Sequence, residues 1–188
     1  AILRVPTSSA ANFISANPGR IALALAVLWL AFRFWLGRAF PITGDEAYFT
    51  IWGLIPDWGF YDHPPMVGWW LALLTRMSMS PWVLRLPAIL MPAVIAAAIY
   101  LALRSTDREK ARLAALAFLL LPINVWNVFV TTDTPLVLFC FFAGLAWWMA
   151  RPRRDVRLQA LAGVFLGLAF LSKYFSRSEE HTSELQSH

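Results

Sequence analysis

Long apolar runs alternate along the chain with short polar connections. Five runs approach the ~20 residues that an α-helix needs to cross a hydrocarbon core about 30 Å thick. Each is expected to form a membrane-spanning helix, and the limits of the last two are the least sharply marked; the runs are residues 21–40, 82–103, 113–130, 135–150 and 156–175. The pattern therefore predicts an all-α membrane protein, a polytopic bundle of about five transmembrane helices.

The connection between the first two runs, residues 41–81, is long enough to carry structure of its own. Its first part, DEAYFTIWGLI, predicts a short helix with an apolar stripe formed by Tyr48, Ile51, Trp52 and Ile55. The sequence DHPP then breaks the chain, and Pro65 can start the next helix. That helix, PPMVGWWLALLTRM, is too short to span, so we expect it to lie at the interface with Trp69 and Trp70 at headgroup level.

Composition agrees with a membrane protein, because 59% of the residues are hydrophobic and 14% are charged, against about 25% charged in soluble domains. A net charge of +5 would suit nucleic acid, but the basic residues form no patch with a reading element, so no nucleic-acid partner is expected. They cluster instead at residues 104–112 and 151–157. Since Lys and Arg favour the cytoplasmic side, these clusters predict a cytoplasmic N-terminus, residues 1–20, and an outer location for residues 41–81.

Several residues fit this picture less directly. Arg33 and Arg38 lie in the outer half of the first run, where they are expected to snorkel or to line the bundle interior. A cleaved signal peptide is the alternative for the N-terminal run, but no A-x-A cleavage pattern follows it. Cys140 lies inside an apolar run, so no disulfide framework is expected.

The apolar pattern stops abruptly at RSEEHTSELQSH, residues 177–188. This string resembles the translation of a sequencing-library adapter, so it is interpreted as an artefactual tail and excluded from fold reasoning. A genuine polar tail is the alternative. The membrane domain is therefore assigned to residues 21–176, and His63 is the one histidine outside the tail.

Ionisable residues gather at the predicted outer ends of the apolar runs. Asp45 and Glu46 follow the first run, Asp133 lies in TTDTP between the third and fourth, and Lys173 ends the fifth. A carboxylate near the membrane surface can act as a general base or bind a metal. Each residue also has a structural alternative. Thr43 or Asp45 can cap a helix, Thr132 or Asp133 can cap the next, and Lys173 can snorkel.

The order of these motifs resembles one known family. An apolar run, DEAYF, GFYDHPPMVGWW, TTDTPL and LSKYF follow one another as in the N-terminal part of the dolichyl-phosphate-mannose protein mannosyltransferase-like family, whose bacterial members include the lipid A aminoarabinose transferase. The resemblance covers residues 20–175. It implies the N-terminal part of a glycosyltransferase C-type fold with more membrane helices to follow, in a multi-pass protein of the bacterial inner membrane.

The resemblance also implies a reaction and its participants. Members transfer a sugar from a polyprenyl-phosphate donor to a lipid, glycan or protein acceptor with inversion at the anomeric carbon, among membrane lipids. Asp45 matches the catalytic acid of the first loop, with Glu46 as its supporting or metal-binding partner. Lys173 matches the lysine that stabilises the leaving phosphate, and the expected substrate-binding residues are Tyr61, Asp62, His63, Asp133 and Lys173.

One position departs from the aminoarabinose-transferase branch, which has Glu-Lys where this chain has Asp62-His63. Histidine makes the phosphate contact weaker, pH-dependent or dependent on another residue, so an aminoarabinose substrate is not expected. The metal site is unknown, and a divalent metal ion is an open alternative, although two adjacent ligands alone do not make one. The competing functional hypotheses are a transporter or lipid flippase, and a non-catalytic membrane subunit that would tolerate loss of Asp45.

Overall fold

The computed structural model describes residues 18–173, apart from the side chain of Arg153, and every regular element in this range is helical. A 3₁₀ turn, Arg151–Arg153, separates the last two helices. In chain order the helices are α1 Pro18–Ala39, α2 Gly44–Leu54, α3 Met66–Thr75, α4 Pro81–Leu84, α5 Leu86–Leu103, α6 Arg108–Leu119, α7 Pro122–Trp126, α8 Asp133–Ala150 and α9 Val156–Phe170. The predicted all-α membrane bundle is confirmed.

Three helical stretches are long and apolar enough to cross a membrane: Pro18–Ala39, Pro81–Leu103 and Asp133–Ala150. They correspond to the first, second and fourth predicted spans. The fifth corresponds to α9, an apolar helix of 15 residues and therefore roughly 22 Å long. This length falls short of a hydrocarbon core, so α9 alone does not reach across one.

The third predicted span, residues 113–130, is not one helix. α6 ends at Leu119, and α7 starts again at Pro122 after Leu121 adopts an extended ψ of 134°. Proline cannot donate the next helical hydrogen bond, and it disfavours helical geometry in the residue before it. A hydropathy count passes over this break because the residues on both sides of it are apolar.

The chain forms two compact units, and unit 1 comprises residues 18–41 and 88–129. One buried cluster joins Trp29, Ala96 and Leu119, from α1, α5 and α6. A second joins Leu36 and Ile89 to Val128, which follows α7. Four separate segments thus share an apolar core in this unit.

Arg33 lies inside unit 1 and is fully buried. Its guanidinium donates to four backbone carbonyls, at 3.1 Å for Ile89, 2.5 Å for Ala88 and 2.8 Å for Asn127, with a short bond to Asn124. The indole ring of Trp29 lies 5.0 Å from the guanidinium carbon. Of the two expectations for Arg33, snorkelling and lining the interior, the structure shows the second, whereas Arg38 is exposed.

Unit 2 comprises residues 42–87 and 130–173. Its helices α2 and α3 approach closely at two glycines. A Cβ at Gly53 would lie 2.7 Å from the Cβ of Leu71, and one at Gly68 would lie 2.6 Å from the ring of Phe60. The Phe60 ring in turn stacks on Trp52 with their centroids 4.4 Å apart. Glycine at these two positions is therefore what allows the helices to pack at this distance.

The apolar stripe expected on α2 is only partly buried. Trp52 is buried, whereas Tyr48, Ile51 and Ile55 are exposed. The buried face consists of Glu46, Phe49, Thr50, Trp52 and Gly53. Two polar residues with their own hydrogen-bond partners, Glu46 and Thr50, therefore share that face with apolar ones.

Unit 2 also contains the short helix α4 and the antiparallel pair α8 and α9. Asp155 caps α9 by accepting hydrogen bonds from the backbone N–H groups of Arg157 and Leu158, and Arg154 before it adopts a left-handed φ of 47°. At the other end of α9, the Leu171 carbonyl accepts a 3.1 Å hydrogen bond from Met66 N. The predicted tail, residues 177–188, and nearly all of the predicted N-terminal segment lie outside the described residues.

Candidate active site

The N-terminus of α2 is a capping box. The Thr43 hydroxyl accepts a 3.3 Å hydrogen bond from Glu46 N, and the Glu46 carboxylate accepts a 3.1 Å bond from Thr43 N. This exchange satisfies two backbone donors that a helix start leaves open. Of the two predicted caps, Thr43 is the one used. The predicted short helix is confirmed, and Asp45 occupies its first turn without serving as its cap.

Glu46 is nearly inaccessible and forms a two-pronged ion pair with Arg85. The Arg85 Nε donates to Glu46 Oε1 at 2.8 Å, and Nη2 donates to Oε2 at 2.6 Å. The Arg85 side chain is 1% exposed and the Glu46 side chain is 5% exposed. Burial raises the pKa of Glu46, but the hydrogen bonds from Arg85, Thr43 and Val130 outweigh burial and hold that pKa below its ordinary value. Glu46 is therefore a carboxylate whose oxygens are already occupied.

Asp45 differs sharply from its neighbour. Its side chain is exposed, and among residues 18–173 its carboxylate has neither a hydrogen bond nor an ion pair. The adjacent negative charge in the first turn also suits the helix dipole. The chain thus presents one acid to its surroundings and retains the other inside.

Asp133 and Lys173 form an ion pair. Lys173 Nζ lies 2.8 Å from Asp133 Oδ1, and both side chains are about half exposed, at 42% and 55%. Asp133 opens α8 and Lys173 follows α9, so the packing of these helices brings the pair together. A lysine ammonium has three donors, and this contact uses one of them.

Asp62 and His63 lie close to α2. Tyr48 donates a 3.3 Å hydrogen bond to Asp62 Oδ1, and burial together with the charge of Asp62 raises the pKa of Tyr48. His63 Nδ1 is 3.1 Å from Asp62 Oδ2, yet the two atoms are not oriented for a hydrogen bond. The neighbouring Tyr61 is 98% exposed.

All seven predicted site residues lie in unit 2. They form three groups there: Asp45 by itself, the Asp62–His63 pair beside Tyr61, and the Asp133–Lys173 pair. The seventh residue, Glu46, is buried and follows Asp45 in the sequence. No three His, Cys, Asp or Glu side chains in the described range are arranged to hold a metal ion.

Arg85 is the residue that sequence reasoning missed. It lies between α4 and α5, inside a stretch interpreted as one apolar span, and it is 1% exposed. A charged residue within such a stretch usually has a buried partner, and this was the available signal. The partner, Glu46, is 39 positions earlier, a separation at which local patterns carry no information.

Comparison with known proteins agrees with these features. The family model described as dolichyl-phosphate-mannose-protein mannosyltransferase matches residues 62–177. That segment includes Asp62, His63, Asp133 and Lys173, and it is more than half of the chain. The chain therefore belongs to this family.

One curated relative is the lipid A galacturonosyltransferase RgtD of Rhizobium johnstonii. It is 32% identical over 134 residues, which are 69% of this chain and 28% of the relative. The chain thus spans little more than a quarter of that protein's length. No solved structure matches.

Proposed function

We propose that this chain is the N-terminal part of a membrane glycosyltransferase. The enzyme would move a sugar from a polyprenyl-phosphate donor to a lipid, glycan or protein acceptor, with inversion at the anomeric carbon. Membership of the mannosyltransferase family supports the reaction class. The Rhizobium relative is named a lipid A galacturonosyltransferase, which favours an acceptor related to lipid A over a protein.

The observation that carries the proposal is that Glu46 is held in structural contacts whereas Asp45 is exposed. Thr43 and Glu46 make the cap, and Arg85 holds Glu46. Asp45 therefore takes part in neither the cap nor the ion pair, although it sits in a turn whose geometry is fixed. An exposed, unpartnered carboxylate on a fixed support is what a general base requires.

In the proposed reaction, the acceptor hydroxyl attacks the anomeric carbon from the face opposite the phosphate. Its oxygen forms the new bond to that carbon, its proton passes to the Asp45 carboxylate, and the bond from the carbon to the phosphate oxygen breaks. Polyprenyl phosphate departs with the electron pair of that bond. Single displacement inverts the configuration, and no covalent enzyme intermediate is needed.

Lys173 supplies positive charge for the departing phosphate in this scheme. Its two N–H donors not directed at Asp133 have no partner within residues 18–173 and can bind phosphate oxygens, while Asp133 holds the ammonium in place from the other side. Tyr61, Asp62 and His63 are proposed to contact the sugar or the phosphate from the connection between α2 and α3. A divalent metal ion would need a ligand beyond the Asp62–His63 pair.

The proposed location is the bacterial inner membrane, with the N-terminus in the cytoplasm and residues 41–81 on the outer face. The basic connections at residues 104–112 and 151–157 support this orientation. Labelling of a cysteine placed at position 57 by an impermeant reagent in intact cells, in a Cys140→Ser background, tests it. Protection there, with labelling at position 107, would reverse the orientation.

The transporter alternative requires ionisable groups available within the spans. Arg33 is buried in α1, but its guanidinium is engaged by four backbone carbonyls. This engagement makes Arg33 a structural residue, so it gives the transporter hypothesis no support.

The decisive experiment is donor turnover by the purified full-length protein carrying Asp45→Asn. Asparagine preserves size and leaves the Thr43 cap untouched, while it removes the base, so the rate should fall by about 10² to 10⁴-fold. Lys173→Ala should also be strongly impaired. The 188-residue chain by itself should be inactive, because most of the water-excluding site would be missing.

Asp57→Asn is the matched control. Asp57 is another exposed acid of the same connection, and in the described part of the chain its carboxylate accepts only a local 2.7 Å bond from Trp58 N. Its rate should equal that of the wild type. Wild-type turnover in Asp45→Asn, at matched expression and thermal midpoint, would remove Asp45 from the mechanism.

A further inference from the structure

The buried pair Glu46–Arg85 gathers three chain segments on one carboxylate. Glu46 Oε1 accepts Arg85 Nε at 2.8 Å and Val130 N at 3.2 Å. Oε2 accepts Arg85 Nη2 at 2.6 Å and the backbone and hydroxyl of Thr43 at 3.1 and 3.2 Å. The start of α2, the α4–α5 junction and the segment before α8 are thereby joined at a single point.

Taking two charges out of water costs several kcal/mol per ion, and good geometry only offsets this cost. Apolar side chains of similar volume would often stabilise a fold as well or better. Stability alone therefore does not account for an ion pair here. What the pair supplies that apolar residues cannot is direction, since each hydrogen bond fixes a donor relative to the carboxylate plane.

Two candidate site acids lie close in sequence to the residues joined at this point. Asp45 is the residue before Glu46, and Asp133 lies three residues after Val130, at the first turn of α8. Thr132 between them is buried, and Thr131 N donates to the Thr134 hydroxyl at 3.3 Å, so little slack separates Val130 from Asp133. The orientation of both acids then depends on where the Glu46 carboxylate stands.

We propose that Arg85 is a positioning residue: by orienting Glu46 from within unit 2, it sets the places of Asp45 and Asp133 without touching substrate. This inference rests on the proposed function. It assigns Glu46 to support of the base rather than to proton transfer itself. It also explains why Glu46, whose two carboxylate oxygens both accept hydrogen bonds, stands next to Asp45, whose carboxylate has no partner within residues 18–173.

Arg33 provides a matched control. Both arginines are essentially inaccessible, at 0% and 1% exposure. Among the described residues, the hydrogen bonds of Arg33 go to backbone carbonyls of unit 1, and no predicted site residue belongs to that unit. Losing Arg33 should therefore affect stability and leave the site geometry alone.

The test measures kcat and KM for a polyprenyl-phosphate sugar with the full-length protein, each variant assayed well below its own thermal midpoint. Arg85→Lys keeps the charge and loses the two-pronged contact. It should lower kcat by about 10 to 10²-fold, the range that a misplacement of roughly 1 Å can cause, with KM within about twofold. Arg85→Met should lose at least as much, and Arg33→Met should keep both parameters within about twofold of the wild type.

A double variant separates positioning from stability. Glu46→Met with Arg85→Met replaces the pair by apolar side chains and leaves no unpaired charge, so its thermal midpoint should lie above that of Arg85→Met alone, while kcat should stay low. Recovery of kcat together with the midpoint would overturn the inference, as would wild-type kcat in Arg85→Lys and Arg85→Met. A wild-type protein without turnover of any polyprenyl-phosphate sugar would instead overturn the proposed function, and this inference with it.

Discussion

Two arginines are buried among the residues that the structure describes, one in each unit, and they are neutralised in different ways. Arg33 in unit 1 is surrounded by backbone carbonyls, which are partial charges fixed by the fold. Arg85 in unit 2 faces the full charge of Glu46. Carbonyls cannot be lost by substitution or titrated by acid, whereas a carboxylate can. The unit that holds the candidate site is therefore the one whose buried arginine is paired with the charge of a titratable side chain.

The largest expected difference comes from removing the carboxylate. Glu46→Ala leaves Arg85 buried without its charge partner and removes the Thr43 cap partner, so unfolding should become easier by about 3 to 5 kcal/mol. Arg33→Met removes the charge itself and replaces it with an apolar side chain of similar length. It should cost about 1 to 3 kcal/mol, from carbonyls left with fewer donors.

Denaturation of the two variants in detergent, followed by hydrogen exchange, measures this difference. Faster exchange should appear in α2 and α3 for Glu46→Ala, and in α1 and α7 for Arg33→Met. Equal destabilisation, or loss of protection in the opposite unit, would show that the two arginines do not act as separately as their contacts suggest.

The next effect concerns the close approach of α2 and α3. Alanine at Gly53 would place its Cβ 2.7 Å from the side chain and 2.8 Å from the backbone of Leu71, and such overpacking costs typically about 1 to 3 kcal/mol. Gly144→Ala is the control, because no atom lies within 4 Å of the added Cβ. In that helix alanine should be neutral or gain up to about 1 kcal/mol.

Thermal midpoints of the two glycine variants decide the matter. A Gly53→Ala protein as stable as Gly144→Ala would mean that α2 and α3 can separate by a few tenths of an ångström at no cost. Turnover in the full-length protein should follow the same order, since α2 carries Asp45.

The smallest effect is a pH dependence that belongs to unit 2. The pKa of Glu46 is lowered in the folded state, so its contribution to stability is complete above its unfolded pKa of about 4.3 and is lost as the pH falls through the lower, folded pKa. Wild-type protein should therefore lose stability below about pH 4.3 more steeply than Glu46→Gln, which does not titrate there. Parallel acid denaturation curves for the two proteins would contradict this.

Much of the fold could be predicted, because apolar runs of membrane length report directly on long helices. The break at Pro122 was missed because a hydropathy average reports side-chain polarity, whereas proline breaks the helix through its effect on the backbone. The burial of Glu46 and Thr50 in place of Ile51 and Ile55 was missed for a related reason. A pattern of side-chain polarity cannot show which polar groups will find partners.

Part of the candidate site, like part of the fold, could be predicted from the sequence. The pairing of Asp133 with Lys173 agrees with the expectation that both lie at one face, and the short helix after Asp45 is present. The role of Arg85 could not be predicted from its surroundings in sequence, because its partner is distant along the chain and the pairing exists only after unit 2 has packed. Nonlocal ion pairs are invisible to periodicity, however strong they are.

Arg33 also bears on how this protein enters the membrane during synthesis. An arginine at the centre of a lone helix opposes insertion by about 2.5 to 3.5 kcal/mol, and α1 is synthesised before the segments whose carbonyls bind Arg33. The carbonyls that satisfy Arg33 belong to residues at positions 88, 89, 124 and 127. Roughly a hundred residues of nascent chain must therefore emerge before α1 has its full set of partners. Until then only the apolar side chains of α1 favour its position in the bilayer. Its final placement therefore comes after insertion and depends on α5 and α7.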